Sequence, residues 1–433
     1  MNTRQVALDI LADVTDGAYL NLALKKRLHN LDSQDRRFVT ALCFSTLENL
    51  ILIDYIIDAY TSGKRIHKVI RNILRIGVCQ IRFMESVPVS AAVNESVKLA
   101  EKSGKRQLKG FVNAVLRNIA NEPEKVVLPQ KTDDIYMYMS VKYSYPMEIV
   151  RLMADGYGVE LAEALFAYKK QDSRTCIRVN LLKSDVASVR AELKGYELKP
   201  GIYFSNALYA EHISSVESME AYKSGRLTIQ GESSMAAVAA AGIAKGDKVL
   251  DVCAAPGGKT AFAAEYMPAS IVAQDLHKHR VDLMDKNLER LGVSARTEVW
   301  DATVPKPEYY GKFDRVLVDA PCSALGLMYR KPDIKMAKTD ISGLYPLQRD
   351  IIETCSRYVK KGGVMVYSTC TINRHENDEI VGGFLKTNPS FSAGAFPEAF
   401  PQKLRDRAKD GMLQLYPQID EIDGFFIAVL KRS

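Results

Sequence analysis

The sequence predicts an α/β protein, in which a largely parallel sheet covered on both faces follows an all-α domain and a small α+β connecting module. Three observations predict it. From Leu227 onward the apolar runs KVLDVC, SIVAQDL, TEVWDA, FDRVLVDAP and GVMVYSTC recur, and each of the first four is followed by a helix-length segment. Those runs close on polar residues, where ligands gather in an open parallel sheet. From Asn2 to Asn121, in contrast, apolar residues recur every three or four positions, the period of helices.

The helical segments are RQVALDILADV, RRFVTALCFSTLENLILIDYIIDAY, IHKVIRNILRIGVCQIRFM, AAVNESVKLAEK and KGFVNAVLRNIA. Asp32 or Ser33 is placed to cap the second, and Val87-Pro88 interrupts the pattern before the helix holding Asn94 and Glu95. Short connections make residues 1–125 a compact all-α domain. Asn121 to Asp134 reads as a linker. Residues 135–226 alternate helix and strand over too short a length for a full doubly wound sheet, so they form the connecting module. In its strand TCIRVNLL, Arg178 and Asn180 alternate with Ile177, Val179 and Leu181, which puts them on the open face. Residues 227–433 carry the parallel sheet. At its end MLQLYPQ and GFFIAVLKR, joined by IDEIDG, are expected to form an antiparallel edge pair.

Composition narrows the class. A chain of 433 residues with 47% hydrophobic and 26% charged residues buries a large core and is not disordered. The longest small-apolar run, Met235 to Ala244, is too short to cross a bilayer, and the N-terminus lacks an apolar signal core. Seven thinly spread cysteines read as reduced thiols, so a cytoplasmic location is expected. The net charge is +7, and residues 1–125 hold 19 Lys and Arg against 13 Asp and Glu. That local excess suits a polyanion, and Lys25-Lys26-Arg27, Arg36-Arg37, Lys64-Arg65 and Lys105-Arg106 are candidate phosphate contacts.

The stretch VLDVCAAPGGKT, Val249 to Thr260, reads as a strand, a glycine turn and a helix start whose backbone N–H groups face a ligand. A phosphate-binding P-loop needs Gly where Cys253 stands. The dinucleotide fingerprint Gly-x-Gly-x-x-Gly is also missing. What remains is the less Gly-rich first turn of an S-adenosylmethionine (SAM) methyltransferase. Asp275 closes the second strand 24 residues after Asp251, the separation of a carboxylate that grips ribose hydroxyls. Asp301 closes the third, placed to accept from an adenine amine. Asp319-Ala320-Pro321-Cys322 closes the fourth and Thr369-Cys370 the fifth.

If the fourth and fifth strands are neighbours, about 4.8 Å apart, both cysteines open into one pocket. Two thiols, a carboxylate and a methyl donor suit carbon 5 of a pyrimidine. That carbon is too weak a nucleophile until a thiolate adds to carbon 6. A carboxyl group at N3 then stabilises the added electron density, and a second base removes the carbon 5 proton. Lys259 or Arg374 is placed to lower a thiol pKa.

These residues resemble a known family. DAPCS and a later STCT behind CAAPGGKT, with LMYRKPDIK, LYPLQRDII, INRHENDEIV and DGFFIAVLKR, resemble the RNA 5-methylcytosine methyltransferases. The helices with AAVNESVKLA and GFVNAVLRNI resemble the NusB-type RNA-binding domain of the RsmB/Sun/Fmu branch, whose substrate is cytosine 967 of 16S ribosomal RNA. The resemblance covers nearly the whole chain. It implies a Rossmann-like SAM-dependent methyltransferase domain behind a NusB-like domain, with Cys370 as nucleophile, Cys322 assisting release and Asp319 touching the cytosine. For SAM it implies Cys253, Ala254, Ala255, Pro256, Gly257, Gly258, Lys259, Asp275, Arg280, Asp301 and Asp319. The DNA cytosine methylases attack with the cysteine of Pro-Cys, which keeps the reverse assignment open. Ala324 and Gly231 depart from the family pattern, which has Gly and Asp there.

The expected partner is 16S ribosomal RNA, naked or in an early assembly intermediate, engaged by a monomer without a membrane. Arg330, Lys331, Lys335, Arg374 and His375 are candidates for flanking phosphates. Two other readings stand beside this one. One is methylation of tRNA or another ribosomal position; the other is a non-catalytic RNA-binding or antitermination factor.

Overall fold

The computed structural model describes residues 2–433 except 170–173, 212, 214–215 and 337–339. Contacts divide the chain into two units, one of residues 1–168 with 328–338, the other of 169–327 with 339–433.

The first unit is helical. Its elements are α1 Thr3–Thr15, α2 Leu20–Arg27, α3 Ser33–Glu48, α4 Leu50–Thr61, α5 Lys68–Phe83, α6 Val89–Lys102, α7 Lys109–Asn121, α8 Ile135–Tyr143, α9 Met147–Tyr157 and α10 Val159–Ala167. Capping sets several starts: Asn2 Oδ1 accepts from Arg4 and Gln5 N–H, Asp32 Oδ1 from Asp35 N–H at 2.8 Å, and Asp134 Oδ1 from Tyr136 and Met137 N–H. The expected single long second helix is two, α3 and α4, bent by 74° at Asn49. The bend lets Val39 and Leu42 on one and Ile53 and Ile57 on the other face one core with Ile73, Leu74 and Leu116. The helices of residues 135–167 belong to this unit. Among the described residues no single helix is long and apolar enough to cross a membrane.

The second unit holds two sheets. In the smaller, β1 (Thr175–Val179), β2 (Leu198–Pro200), β3 (Ala207–Ala210) and β4 (Leu227–Ile229) lie antiparallel in the order β2-β3-β1-β4. The larger contains β5 (Lys248–Val252), β6 (Ser270–Asp275), β7 (Arg296–Val299), β8 (Phe313–Asp319), β9 (Val359–Thr369), β10 (Phe391–Ala393), β11 (Met412–Leu415) and β12 (Phe425–Arg432). Its order is β10-β12-β9-β8-β5-β6-β7, with β11 beside β12. The pairs among β5 to β9 are parallel, and those of β12 antiparallel. This is the Rossmann-like sheet expected. After β7 the chain returns to the other side of β5, so the topological switch point lies between β5 and β8.

Three expectations are corrected. β12 is no edge strand: it lies between β9 and β10, which explains its near-continuous apolar run. Between β7 and β8 there is only the 3-10 turn Pro307–Tyr309 and no full helix. Arg178 and Asn180 are buried, not on an open face. Arg178 Nη1 pairs with Glu265 Oε1, its Nε donates to Gln230 Oε1 at 2.6 Å, and its guanidinium covers the Phe262 ring. Asn180 Nδ2 donates to the carbonyls of Gly225 and Leu291, at 2.8 and 2.9 Å. Alternation identified a shared face, but that face is covered by other parts of the same unit.

Candidate active site

The carboxyl ends of β5, β6, β8 and β9 build the site. At the end of β5 the chain turns sharply, with Cys253 at φ +60° and Gly257 at φ +93°, and enters the helix Gly258–Ala264. A Cβ on Gly257 would lie 3.0 Å from Met284 Cγ, so the left-handed turn and the close packing both favour glycine there. Ala254 N–H donates to the Gln274 carbonyl at 2.8 Å and Ala255 N–H to Asp275 Oδ2 at 3.2 Å. Arg280 lies 3.3 Å from the same Asp275 oxygen and donates to the Ala255 carbonyl at 2.8 Å. The Asn287 amide holds the Pro256 carbonyl at 3.0 Å. The turn, Asp275 and Arg280 are thus one hydrogen-bonded assembly.

Asp301 follows β7 but is exposed, its Oδ1 accepting from the Thr303 N–H and hydroxyl at 2.9 and 2.7 Å. Asp251 is fully buried, and Thr260 Oγ1 donates to its Oδ2 at 2.6 Å. Burial pushes its carboxyl up to about 7, against the opposing pull of Thr260 and Lys259. Its Oδ1 is a buried acceptor with no partner.

β8 and β9 are neighbours, with Asp319 opposite Ser368. Lys259 Nζ lies 2.7 Å from Asp319 Oδ2, and Ser368 Oγ donates to Asp319 Oδ1 at 3.1 Å. Burial works against the Lys259 ammonium, yet the Asp319 carboxylate outweighs it and raises its pKa. Beyond the strand ends, Cys322 Sγ and Cys370 Sγ approach to 3.4 Å, both thiols free and both half-buried. The hydrogen bond to Cys370, burial and the nearby Glu376 raise the Cys322 thiol well above its ordinary value. The Cys253 thiol, raised first by burial, is likewise held protonated. The backbone fixes the two thiol loops further: Gly326 N–H donates to the Cys370 carbonyl at 3.1 Å.

Sequence similarity decides the family. The RsmB/F 16S rRNA methyltransferase model matches residues 240–431, and the NusB family model residues 1–121. A probable ribosomal RNA small subunit methyltransferase B of Bacillus subtilis is 34% identical, covering 100% of this chain and 99% of its own. The chain belongs to the RsmB/F methyltransferase family. The ribosomal RNA small subunit methyltransferase B of Vibrio cholerae is 31% identical over 100% of this chain and 98% of its own. The crystal structure of PH0851 superposes with a TM-score of 0.78 at 25% identity, covering 95% of this chain and 94% of that one.

The cofactor of the RsmB/F family is S-adenosylmethionine, and the residues present fit it. The orphaned Asp251 Oδ1 and the carboxylate of Asp275 flank a turn of small residues.

The two family departures have local meaning. Ala324 sits at φ +58°, the left-handed region that explains a glycine preference. A Cβ on Gly231 would lie 3.1 Å from Asp423 Oδ2, so a carboxylate there would face another. Of the basic candidates, Lys335 is corrected: its Nζ is buried in the first unit, 3.3 Å from the Ser144 carbonyl and 3.6 Å from the Tyr145 ring centroid. Arg374 pairs with Asp378 at 2.7 Å and His375 with Glu379 at 2.7 Å. In the first unit Arg27 pairs with Asp13 and Arg36 donates to the Leu31 carbonyl, whereas Lys25, Lys26, Lys64 and Arg65 are exposed. Sequence reasoning missed Asp251, Thr260 and Glu376 as site residues. The last stood in the quoted INRHENDEIV beside Asp378 and Glu379, and nothing local singles it out from them.

Proposed function

We propose that this chain methylates carbon 5 of a cytosine in 16S ribosomal RNA, at position 967 in the family's convention, through a covalent bond between Cys370 and carbon 6. The observation that carries the reading is the 3.4 Å approach of two free thiols at the ends of adjacent strands, beside the Lys259–Asp319 pair.

Asp275 would hold ribose hydroxyls of S-adenosylmethionine and Asp301 its adenine amine, with the turn of Cys253 to Lys259 and Arg280 closing over the rest. When bound, that cofactor supplies an electrophilic methyl group. The chain's own residues prepare the acceptor. Cys370 loses its proton to solvent and attacks as the thiolate, while Cys322, in sulfur–sulfur contact with it at 3.4 Å, stays protonated. The thiolate adds to carbon 6 and the electron pair moves toward N3 and O2. Asp319, oriented by Lys259 and Ser368, relays a proton from the Lys259 ammonium to N3, which offsets the developing charge. Carbon 5 is thereby an enamine carbon, nucleophilic enough to be alkylated.

Release needs the reverse flow. Once Cys370 is a thioether, Cys322 loses its thiol neighbour and gives its proton to water against the remaining pull of burial and Glu376. The resulting thiolate takes the carbon 5 proton, the carbon 5–carbon 6 double bond re-forms as Cys370 leaves carbon 6 as its thiolate, and N3 returns its proton through Asp319 to Lys259. The target must be unstacked for this attack. The exposed lysines and arginines of the NusB-like helices supply phosphate contacts on naked RNA or an early assembly intermediate.

The test is methyl transfer from labelled S-adenosylmethionine to 16S RNA with Cys370→Ala and Cys322→Ala. The first variant is expected to be inactive and the second to accumulate a covalent RNA adduct retarded in denaturing gels. Transfer by Cys370→Ala, or no adduct with Cys322→Ala, defeats the assignment. Bisulfite mapping of RNA with and without the protein identifies the position and separates a transfer RNA substrate. RNA binding with no methyl transfer at all supports the antitermination reading instead.

A further inference from the structure

Behind the two thiols lies a buried carboxylate that the reaction scheme does not use. Glu376 closes the 3-10 turn Arg374–Glu376 after β9 and is 0% exposed. Its Oε2 accepts from Ser323 N–H at 2.8 Å and from Gln348 Nε2 at 3.0 Å. Its Oε1 accepts from Ser323 Oγ, from Asn373 Nδ2 at 2.9 Å and from Thr371 Oγ1 at 3.4 Å. Ser323 directly follows Cys322, and Thr371 directly follows Cys370. The same Gln348 amide also holds the carbonyl of Pro321, the residue before Cys322, at 2.9 Å. Tyr367 OH anchors the Glu376 carbonyl at 2.8 Å.

We propose that Glu376 is a positioning residue that sets the spacing of the two reactive sulfurs, by receiving hydrogen bonds from the residue next to each cysteine. A buried carboxylate tolerates this place only because several donors converge on it. That convergence binds two loops from different strands to one rigid point. Its charge also helps hold the Cys322 proton, in line with the raised thiol. Glu376 touches neither sulfur, so its action runs through Ser323 and Thr371. The proposal rests on the reading of Cys322 and Cys370 as the reacting pair.

Glu376→Gln tests it without changing volume. An amide –NH2 replaces one acceptor oxygen: on the Oε1 side it meets the Asn373 amide donor and withdraws the charge the Ser323 and Thr371 hydroxyls bond to, and on the Oε2 side it meets two donors, so the clamp on the two loops loosens. The direct probe is phenylarsine oxide, which bridges two close thiols, with Cys322→Ala as the non-bridging control. Wild type is expected to bind it as a dithiol chelate, and Glu376→Gln at least about tenfold more weakly. The kcat for methyl transfer should fall about 100-fold, as for a misplacement near 1 Å, with KM for S-adenosylmethionine unchanged. Ser323→Ala, which removes only one hydroxyl, should fall between the two in both readouts and covers the case in which Glu376→Gln does not fold.

Arsenical affinity equal to wild type in Glu376→Gln, or in Ser323→Ala if the former is unfolded, overturns the proposal, whatever the methyl transfer does. Methyl transfer by Cys370→Ala defeats the functional reading separately, because arsenical binding reports sulfur spacing without any reaction.

Discussion

Lys259 Nζ lies 2.7 Å from Asp319 Oδ2, joining the first residue after the glycine turn to the last residue of β8 across the topological switch point. The pair is sequestered from water on the lysine side, where the Asp319 carboxylate secures the ammonium charge. Lys259→Met leaves Asp319 without its cation and misaligns it against N3. Single-turnover methyl transfer should slow by about 100-fold or more, the usual cost of losing one preorganised electrostatic partner. A rate within twofold of wild type refutes the role.

The buried Asp251 makes stability depend on pH. Its folded pKa is raised from the ordinary 3.8 to about 7, so the folded state favours the protonated form. Its contribution is therefore fully present below 3.8 and is lost as pH rises through about 7. Asp251→Asn should flatten the decline in unfolding free energy between those limits, measured by urea denaturation of both proteins across the range. Parallel curves would show that Asp251 does not titrate there.

The loop carrying Cys322 contains two opposite cases. Ala324 sits at φ +58°, so Ala324→Gly should raise stability by about 0.5–1 kcal/mol through relief of left-handed strain. Gly326 is crowded differently: a Cβ there would lie 2.0 Å from the Gly424 carbonyl oxygen. Gly326→Ala should push the loop away and reduce methyl transfer strongly. Thermal melts with activity assays check both.

Arg178 stands 0% exposed with its partner Glu265 at 5%. Burial lowers its pKa to about 10, still well above neutrality, so it keeps its charge. Arg178→Leu leaves the Glu265 carboxylate buried without its cation and should cost about 3–5 kcal/mol. The double variant with Glu265→Gln should recover part of that loss. Denaturant midpoints measure each; an unchanged midpoint in the single variant contradicts the account.

Much of the site was legible because strand ends announce themselves. Apolar runs that stop at Asp275, Asp319 and Thr369 marked the carboxyl edge of the sheet, and the spacing from Asp251 to Asp275 marked the side proposed for the cofactor. Covering of a face was not legible: alternation put Arg178 outward because period two reports which residues share a face, not what packs on it. Lys335, in the 3-10 turn Pro332–Met336, looked like a solvated phosphate contact because a basic residue near a motif end does not show what packs over it.

The amino-acid order alone determined the helical character of residues 2–121, every strand of the larger sheet except β10, and which side chains are candidates for the reaction, since these follow from short-range periodicity and turn chemistry. Tertiary structure alone decided that β8 and β9 are neighbours, that β12 lies inside the sheet, and that two sulfurs 48 residues apart approach to 3.4 Å over a shared carboxylate. Strand pairing and loop convergence depend on contacts between distant segments, and no local pattern encodes those distances.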